Sequence, residues 1–110
     1  MSVDLIKYED DINCVGPGWH PLVRKLLEDL IHEGWDGNVQ QIKEKFGGLR
    51  FYAGCVEERH WSLIRAAEQK SMEVCELCGE VGEPRNLRWI KTLCDRHYSE
   101  RTWQALRRDA

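Results

Sequence analysis

Four side chains towards the C-terminal end of the chain have the types and spacing of a metal-ligand set. Cys75 and Cys78 form one Cys-x2-Cys step, Cys94 and His97 form a Cys-x2-His step, and fifteen residues separate the two. Each step brings two donors within reach of one ion, and two steps complete a tetrahedron. Three thiolates and one imidazole suit Zn²⁺, and four protein donors make a closed structural site with no position for a water. The expectation is one structural Zn²⁺ held by Cys75, Cys78, Cys94 and His97.

Nothing else in the chain has the pattern of a reaction centre. There is no Ser/His/Asp set, no phosphate loop and no nucleotide fingerprint. His20 and His32 flank an amphipathic segment and read as helix-terminal or solvated residues. The sequence therefore predicts a protein that is not an enzyme.

The elements that must carry the ligand set can be read from periodicity. Residues 1–18 are polar, end in Gly16-Pro17-Gly18 and read as an irregular lead-in, with room for one short extended piece. Pro21 fits the first helical position, where its missing N–H is not needed. Leu22, Val23, Leu26, Leu27, Leu30 and Ile31 then make an apolar stripe with charged residues behind it, and Gly34 is the expected stop. Trp35-Asp36-Gly37-Asn38 reads as a turn.

The segment Gln40–Phe46, Gly47-Gly48 and Leu49–Ala53 predicts a hairpin turning at the glycine pair. Ile42 and Phe46 are expected inward. Lys43, Lys45, Arg50 and Tyr52 are expected outward, on a face able to hold a phosphate chain or simply to meet water. Residues 57–73 predict a second helix, with Trp61, Ile64, Ala67, Glu68, Ser71 and Met72 towards one side. It leads into Cys75 without a linker.

Gly79 permits the turn that aims amide N–H groups at the sulfurs. Leu87 to Leu93 are expected to be extended, with Trp89 covering the site. A helix is expected to open at Cys94 and run to about residue 108. The fold class is α+β: an N-terminal helix, a β-hairpin and a second helix, packed with a C-terminal treble-clef-like zinc finger. One domain covers 1–110, with a helix–hairpin–helix body over 1–73 and the finger over 74–108.

Composition limits the function classes. The chain has 110 residues and net charge −3. No run of 18 apolar residues and no signal-peptide pattern occurs in it, so the expectation is a soluble, cytoplasmic protein without a membrane partner. Of five cysteines, Cys14 and Cys55 lie outside the ligand set and read as ordinary buried thiols of a reducing compartment. The five tryptophans read as core, with Trp103 the one best placed to meet a partner. Residues 1–83 carry 9 basic and 16 acidic side chains, whereas 84–110 carry 7 basic and 3 acidic. The basic end offers Arg85, Arg88, Lys91, Arg96, Arg101, Arg107 and Arg108, with Trp103, as a partner or nucleic-acid face.

The knuckle Cys75-Glu76-Leu77-Cys78-Gly79, followed by Cys94-x2-His97 at a helix start, resembles treble-clef fingers. It also resembles the finger of the DksA/TraR group of RNA-polymerase-binding proteins, although that group's long coiled-coil arm has no counterpart here. The whole chain resembles a set of small uncharacterised phage, prophage and bacterial proteins. That likeness rests on Ile42-Lys43-Glu44-Lys45-Phe46-Gly47-Gly48-Leu49-Arg50-Phe51-Tyr52, the knuckle, and Trp89-Ile90-Lys91-Thr92-Leu93-Cys94-Asp95-Arg96-His97. It implies a phage or mobile-element setting. Nuclease members of the treble-clef class need a histidine base and metal-binding His, Asn or Asp on the hairpin. Leu87–Thr92 contains no His and no acid. The leading expectation is a protein-interaction module that binds a host machine, RNA polymerase or a defence complex. The alternative is a DNA- or RNA-binding finger using its basic C-terminal helix.

Overall fold

The computed structural model describes residues 4–108, with side chains described as far as Thr102. Its N-terminal part is helical where a lead-in was expected. A 3-10 turn over Ile6–Tyr8 runs into the short helix α1, Glu9–Ile12. The reason is visible in the spacing of Leu5, Tyr8, Ile12 and Val15, all buried at helical intervals. A second 3-10 turn, Pro17–Trp19, leads into α2, His20–His32. That helix starts one residue before Pro21, and Pro21 still sits in the first turn, where no N–H is required. Val23, Leu26, Leu27 and Leu30 form its buried stripe, and Gly34 at φ +80° ends the segment. Arg24 grips Glu9 with both nitrogens, at 2.8 and 3.2 Å, and ties α2 to α1.

Strands β1, Val39–Lys45, and β2, Gly48–Ala53, form an antiparallel hairpin in which Lys45 faces Gly48, Lys43 faces Arg50 and Ile42 faces Phe51. The turn is Phe46-Gly47, one residue earlier than expected. Both residues have positive φ, 54° and 79°, as the tightest hairpin turn requires. The Glu44 carboxylate accepts the Gly47 N–H at 2.7 Å and holds the turn. A one-residue slip moves a side chain to the other side, so Phe46, expected inward, is 69% exposed. Ile42, Leu49 and Phe51 are buried.

Helix α3, Glu58–Ser71, covers the free edge of β2. Leu49 N–H donates to Ser71 Oγ at 2.9 Å and Phe51 N–H to Glu68 Oε2 at 3.0 Å, so the strand's outward amides are satisfied. The buried stripe is His60, Ile64, Ala67 and Ser71. It is rotated from the expected one, and Trp61 and Met72 are largely outside. His60 is the unexpected core residue. Its Nδ1 accepts the Glu57 N–H at 3.0 Å, which leaves Nε2 to donate to the Glu33 carbonyl 2.9 Å away. It thereby locks the start of α3 to the end of α2. Trp35 stacks on Tyr8 and tilts against Phe51 in the same core. Among the described residues, no helix is long and apolar enough to cross a membrane. Cys14 and Cys55, expected inside, are both exposed, since they fall in the turns after α1 and β2 rather than on a packed face.

The C-terminal part contains β3, Glu83–Arg85, paired antiparallel with β4, Lys91–Leu93, and then α4, Asp95–Arg108. The expected extended run from Leu87 shortens to β4 alone. Residues 86–90 form the connecting turn, so Trp89 does not cover the ligand set and is 74% exposed. A small second apolar cluster forms around Cys75, Leu93 and Cys94. Polar contacts fasten it to the body. Gly18 N–H donates to the Glu76 carbonyl at 2.9 Å, the Trp19 indole to the Val74 carbonyl at 2.8 Å, and Thr92 Oγ1 to the Gly47 carbonyl at 2.5 Å.

The seam leaves no room at Gly18, where an added Cβ would lie 2.0 Å from the Cys75 carbonyl and 2.6 Å from the Gly79 nitrogen. Gly18→Ala is therefore expected to cost more than about 2 kcal/mol in urea unfolding, because backbone on both sides must move. Gly54, where a Cβ meets nothing within 4 Å, is the control. Gly54→Ala is expected to change stability by less than about 1 kcal/mol, in the stabilising direction.

Candidate metal centre

The donors arrive from two elements. Cys75 and Cys78 lie on the knuckle that follows α3, and Gly79 at φ +85° turns the chain back. The knuckle closes on itself through Gly79 N–H to the Cys75 carbonyl at 2.9 Å and Cys75 N–H to the Glu80 carbonyl at 2.7 Å. Cys94 precedes α4 and His97 sits in its first turn, where Tyr98 N–H donates to the Cys94 carbonyl at 2.9 Å. Residues three apart on a helical turn face the same way.

One ligand atom from each of Cys75, Cys78, Cys94 and His97 lies within 4.8 Å of all the others. Cys78 Sγ and Cys94 Sγ are 3.8 Å apart. His97 Nδ1 is 3.5 Å from Cys75 Sγ and 3.3 Å from Cys94 Sγ. Metal–sulfur bonds of about 2.3 Å at tetrahedral angles put two sulfurs about 3.8 Å apart, and a shorter metal–nitrogen bond reduces the S···N edge slightly. The four residues thus have the spacing of a shell that could hold one metal ion.

The surroundings favour the thiolate at Cys75 and oppose it at Cys78. Burial pushes the Cys75 thiol up, but the N–H groups of Cys94, Leu77 and Cys78, with the Cys78 side chain, outweigh it and hold Cys75 down at about 6. At Cys78 the Glu80 N–H pulls the thiol down, yet burial and the neighbouring Cys75 and Cys94 side chains leave it raised overall. Three sulfurs this close cannot all be thiolates without a positive charge between them. A bound metal supplies that charge.

The basic residues of this end divide into two groups. Arg85 is engaged within the fold. It donates to the Leu93 carbonyl at 3.1 Å, pairs with Asp95 at 2.7 Å and Glu83 at 3.2 Å, and lies 4.5 Å above the Tyr98 ring centre. The Asp95 hydrogen bond is the main reason its pKa is raised. Lys91 is engaged with Glu76 at 3.2 Å and Glu44 at 3.4 Å. Desolvation pulls the Lys91 pKa down, but these two carboxylates raise it overall. Arg88, Arg96 and Arg101 are exposed. Trp103, Arg107 and Arg108 lie outside the described side chains.

Sequence reasoning missed Glu76. It occupies a knuckle position that ordinarily faces water, yet it is 5% exposed, because the Gly18 loop and β4 close over it. Its carboxylate accepts the Thr92 N–H at 3.4 Å and pairs with Lys91. No signal in the sequence marks it, since its partners come from distant segments.

Lys91→Met strips Glu76 and Glu44 of their shared cation. It is expected to destabilise the metal-loaded protein by about 2 kcal/mol in chemical denaturation, because one carboxylate is left buried and unpaired. Adding Glu76→Gln is expected to recover part of that loss, with a coupling of about 1 kcal/mol between the two sites.

No protein-family model, no curated protein and no solved structure matches this chain.

Proposed function

We propose that this chain is a small structural-zinc module that acts by docking on a macromolecule and carries out no chemistry of its own. The observation that carries the reading is the convergence of Cys75, Cys78, Cys94 and His97 at tetrahedral spacing. Thiolates and imidazole select Zn²⁺ over the hard cations Mg²⁺ and Ca²⁺, which take oxygen ligands. Four protein donors close the shell, so the zinc has no position at which to activate a water. The other histidines have separate roles or positions. His20 contacts the Val15 carbonyl, His60 is locked inside the body, and His32 lies exposed at the end of α2. The order of knuckle, short hairpin and helix supports a treble-clef-like finger. Three ligand thiols fit a reducing compartment such as the cytoplasm.

The first reading of the partner is a host protein, with the chain as a phage or mobile-element factor that occupies RNA polymerase or a defence complex. The large side chains of Phe46, Trp89 and Ile90 at the surface support a docking role, since exposed aromatics concentrate at interfaces. The second reading, nucleic acid, is favoured by one specific observation. Exposed arginines, Arg88, Arg96 and Arg101, enter no ion pair among the described residues, while Arg85 and Lys91 are engaged inside the fold.

The zinc assignment is tested by elemental analysis and hydrogen exchange. The purified protein is expected to carry one Zn²⁺ per chain and Cys94→Ser none. Structural zinc contributes on the order of 10 kcal/mol to folding, so amides of residues 74–108 in Cys94→Ser are expected to exchange freely. The amides of α2 and α3 keep protection because their core is separate. One zinc per chain with full helicity in Cys94→Ser would overturn the ligand assignment.

A further inference from the structure

Two bare aromatic rings line one groove where the tips of the two hairpins come together. Phe46, in the β1–β2 turn, is 69% exposed and Trp89, in the β3–β4 turn, is 74% exposed. With Ile90, Glu44, Lys45 and Lys91 they line an open groove of about 300 Å³. Both buried clusters close without either ring. The tips are held in place rather than loosely apposed. The Thr92 hydroxyl donates to the Gly47 carbonyl, and a Cβ on Gly47 would come within 3.0 Å of Ile90 Cγ2.

The charge around the groove indicates what fits there. Lys45 lies on the outward face of the hairpin with Lys43, and Lys43 stands opposite Arg50. The Lys45 ammonium is 5.7 Å from the centre of the Phe46 ring, and the Lys43 ammonium is 5.6 Å from that of Tyr52. Arg88 precedes Trp89 and is exposed. Among the described residues, none of Lys43, Lys45, Arg50 and Arg88 is in an ion pair. The carboxylates nearest the groove, Glu44 and Glu76, both lie on Lys91, and Glu44 also accepts the Gly47 N–H. Lys91 offsets one of the two negative charges, and the Gly47 N–H further occupies Glu44, so Lys45 is the groove-lining cation left outside an ion pair. In a chain of net charge −3, Lys45 thus lines the groove, Lys43 and Arg50 face each other across the same hairpin, and Arg88 adjoins Trp89.

A ligand that satisfies both features must offer repeated anionic groups and unstacked planar faces. Single-stranded nucleic acid offers both, with phosphates for the ammonium and guanidinium groups and bases for the rings. A duplex keeps its bases stacked on one another and presents its phosphates to the protein. We infer that the Phe46–Trp89 groove, with Lys43, Lys45, Arg50 and Arg88 beside it, binds single-stranded DNA or RNA. The inference rests on the docking-module reading and names its partner. It also moves the contact surface from the C-terminal helix to the paired hairpin tips.

The test uses the full-length, zinc-loaded protein and fluorescein-labelled oligo(dT) and oligo(U) of about 16 nucleotides, a length set by typical single-strand site sizes. Fluorescence anisotropy is expected to report binding to one or both strands, with the matching duplex weaker. Raising salt from about 50 to 200 mM is expected to weaken binding about 50-fold, as four phosphate contacts would require. Phe46→Ala and Trp89→Ala are each expected to weaken binding at least about fivefold, the lower limit for loss of one base stack. Both side chains are exposed, so these variants are expected to keep one zinc per chain and the wild-type circular dichroism spectrum. Arg65→Ala, on the exposed side of α3 and outside the groove, is expected to bind like wild type. The inference is overturned if zinc-loaded protein binds neither strand at low salt, if the duplex binds as tightly, or if the aromatic variants bind unchanged. It is also overturned if Phe46 and Trp89 prove necessary for a protein partner while no oligonucleotide binds, which would return the groove to the first reading. Each of these outcomes leaves the zinc content intact, whereas protein without zinc would undo the structural-zinc reading itself.

Discussion

The C-terminal third of this protein depends on the crowding of three sulfurs and one imidazole around a single point. Among the described residues its apolar cluster is small, with Cys75, Leu93 and Cys94 inside and Leu77, Leu87 and Tyr98 packed against them. A core that small cannot offset the conformational entropy of ordering a knuckle, a three-residue ladder and the start of a helix. The sulfurs also oppose one another, because each thiolate raises the cost of the next. A metal ion held at their centre would reverse the sign of that term and supply the cross-link that the apolar surface does not.

The body is built on the opposite principle. Trp19, Trp35, Phe51 and the leucines of α2 fill one continuous core, and polar groups are used mainly to close edges. Ser71 and Glu68 satisfy the outer amides of β2, and His60 joins two helix ends. The two parts then meet through close backbone approach and a few polar side chains, among them Trp19, Thr92 and the Lys91–Glu44 pair. Gly18 presses against the Cys75 carbonyl, and Thr92 reaches the Gly47 carbonyl. This seam fixes the tips of both hairpins beside each other. The surface at Phe46 and Trp89 is therefore a product of both parts together, one ring coming from the body and the other from the C-terminal hairpin.

Much of this was legible in the chain. The doubled Cys-x2 spacing names the four donors, because short steps act locally and need no knowledge of the rest of the fold. The leucine stripe of α2 and the hairpin are equally local, and so is the glycine turn of the knuckle. The errors share a cause. Strand alternation put Phe46 inside, but a turn with positive φ at two residues started one position earlier and sent the ring out. The α3 stripe is set by where β2 and α2 approach, so it rotated away from Trp61 and Met72. Arg85 and Lys91 look free in the sequence, and Asp95, Glu44 and Glu76 become their neighbours only through folding.

The sequence by itself determined which four Cys and His side chains converge and where α2, the β1–β2 hairpin and α3 lie, since these follow from spacings of a few residues. Tertiary structure alone decided that Glu76 is buried, that Lys91 bridges two distant carboxylates and that Trp89 faces outward beside Phe46. Those outcomes depend on distances between residues fifteen or more positions apart in the chain. Local periodicity carries no record of such distances.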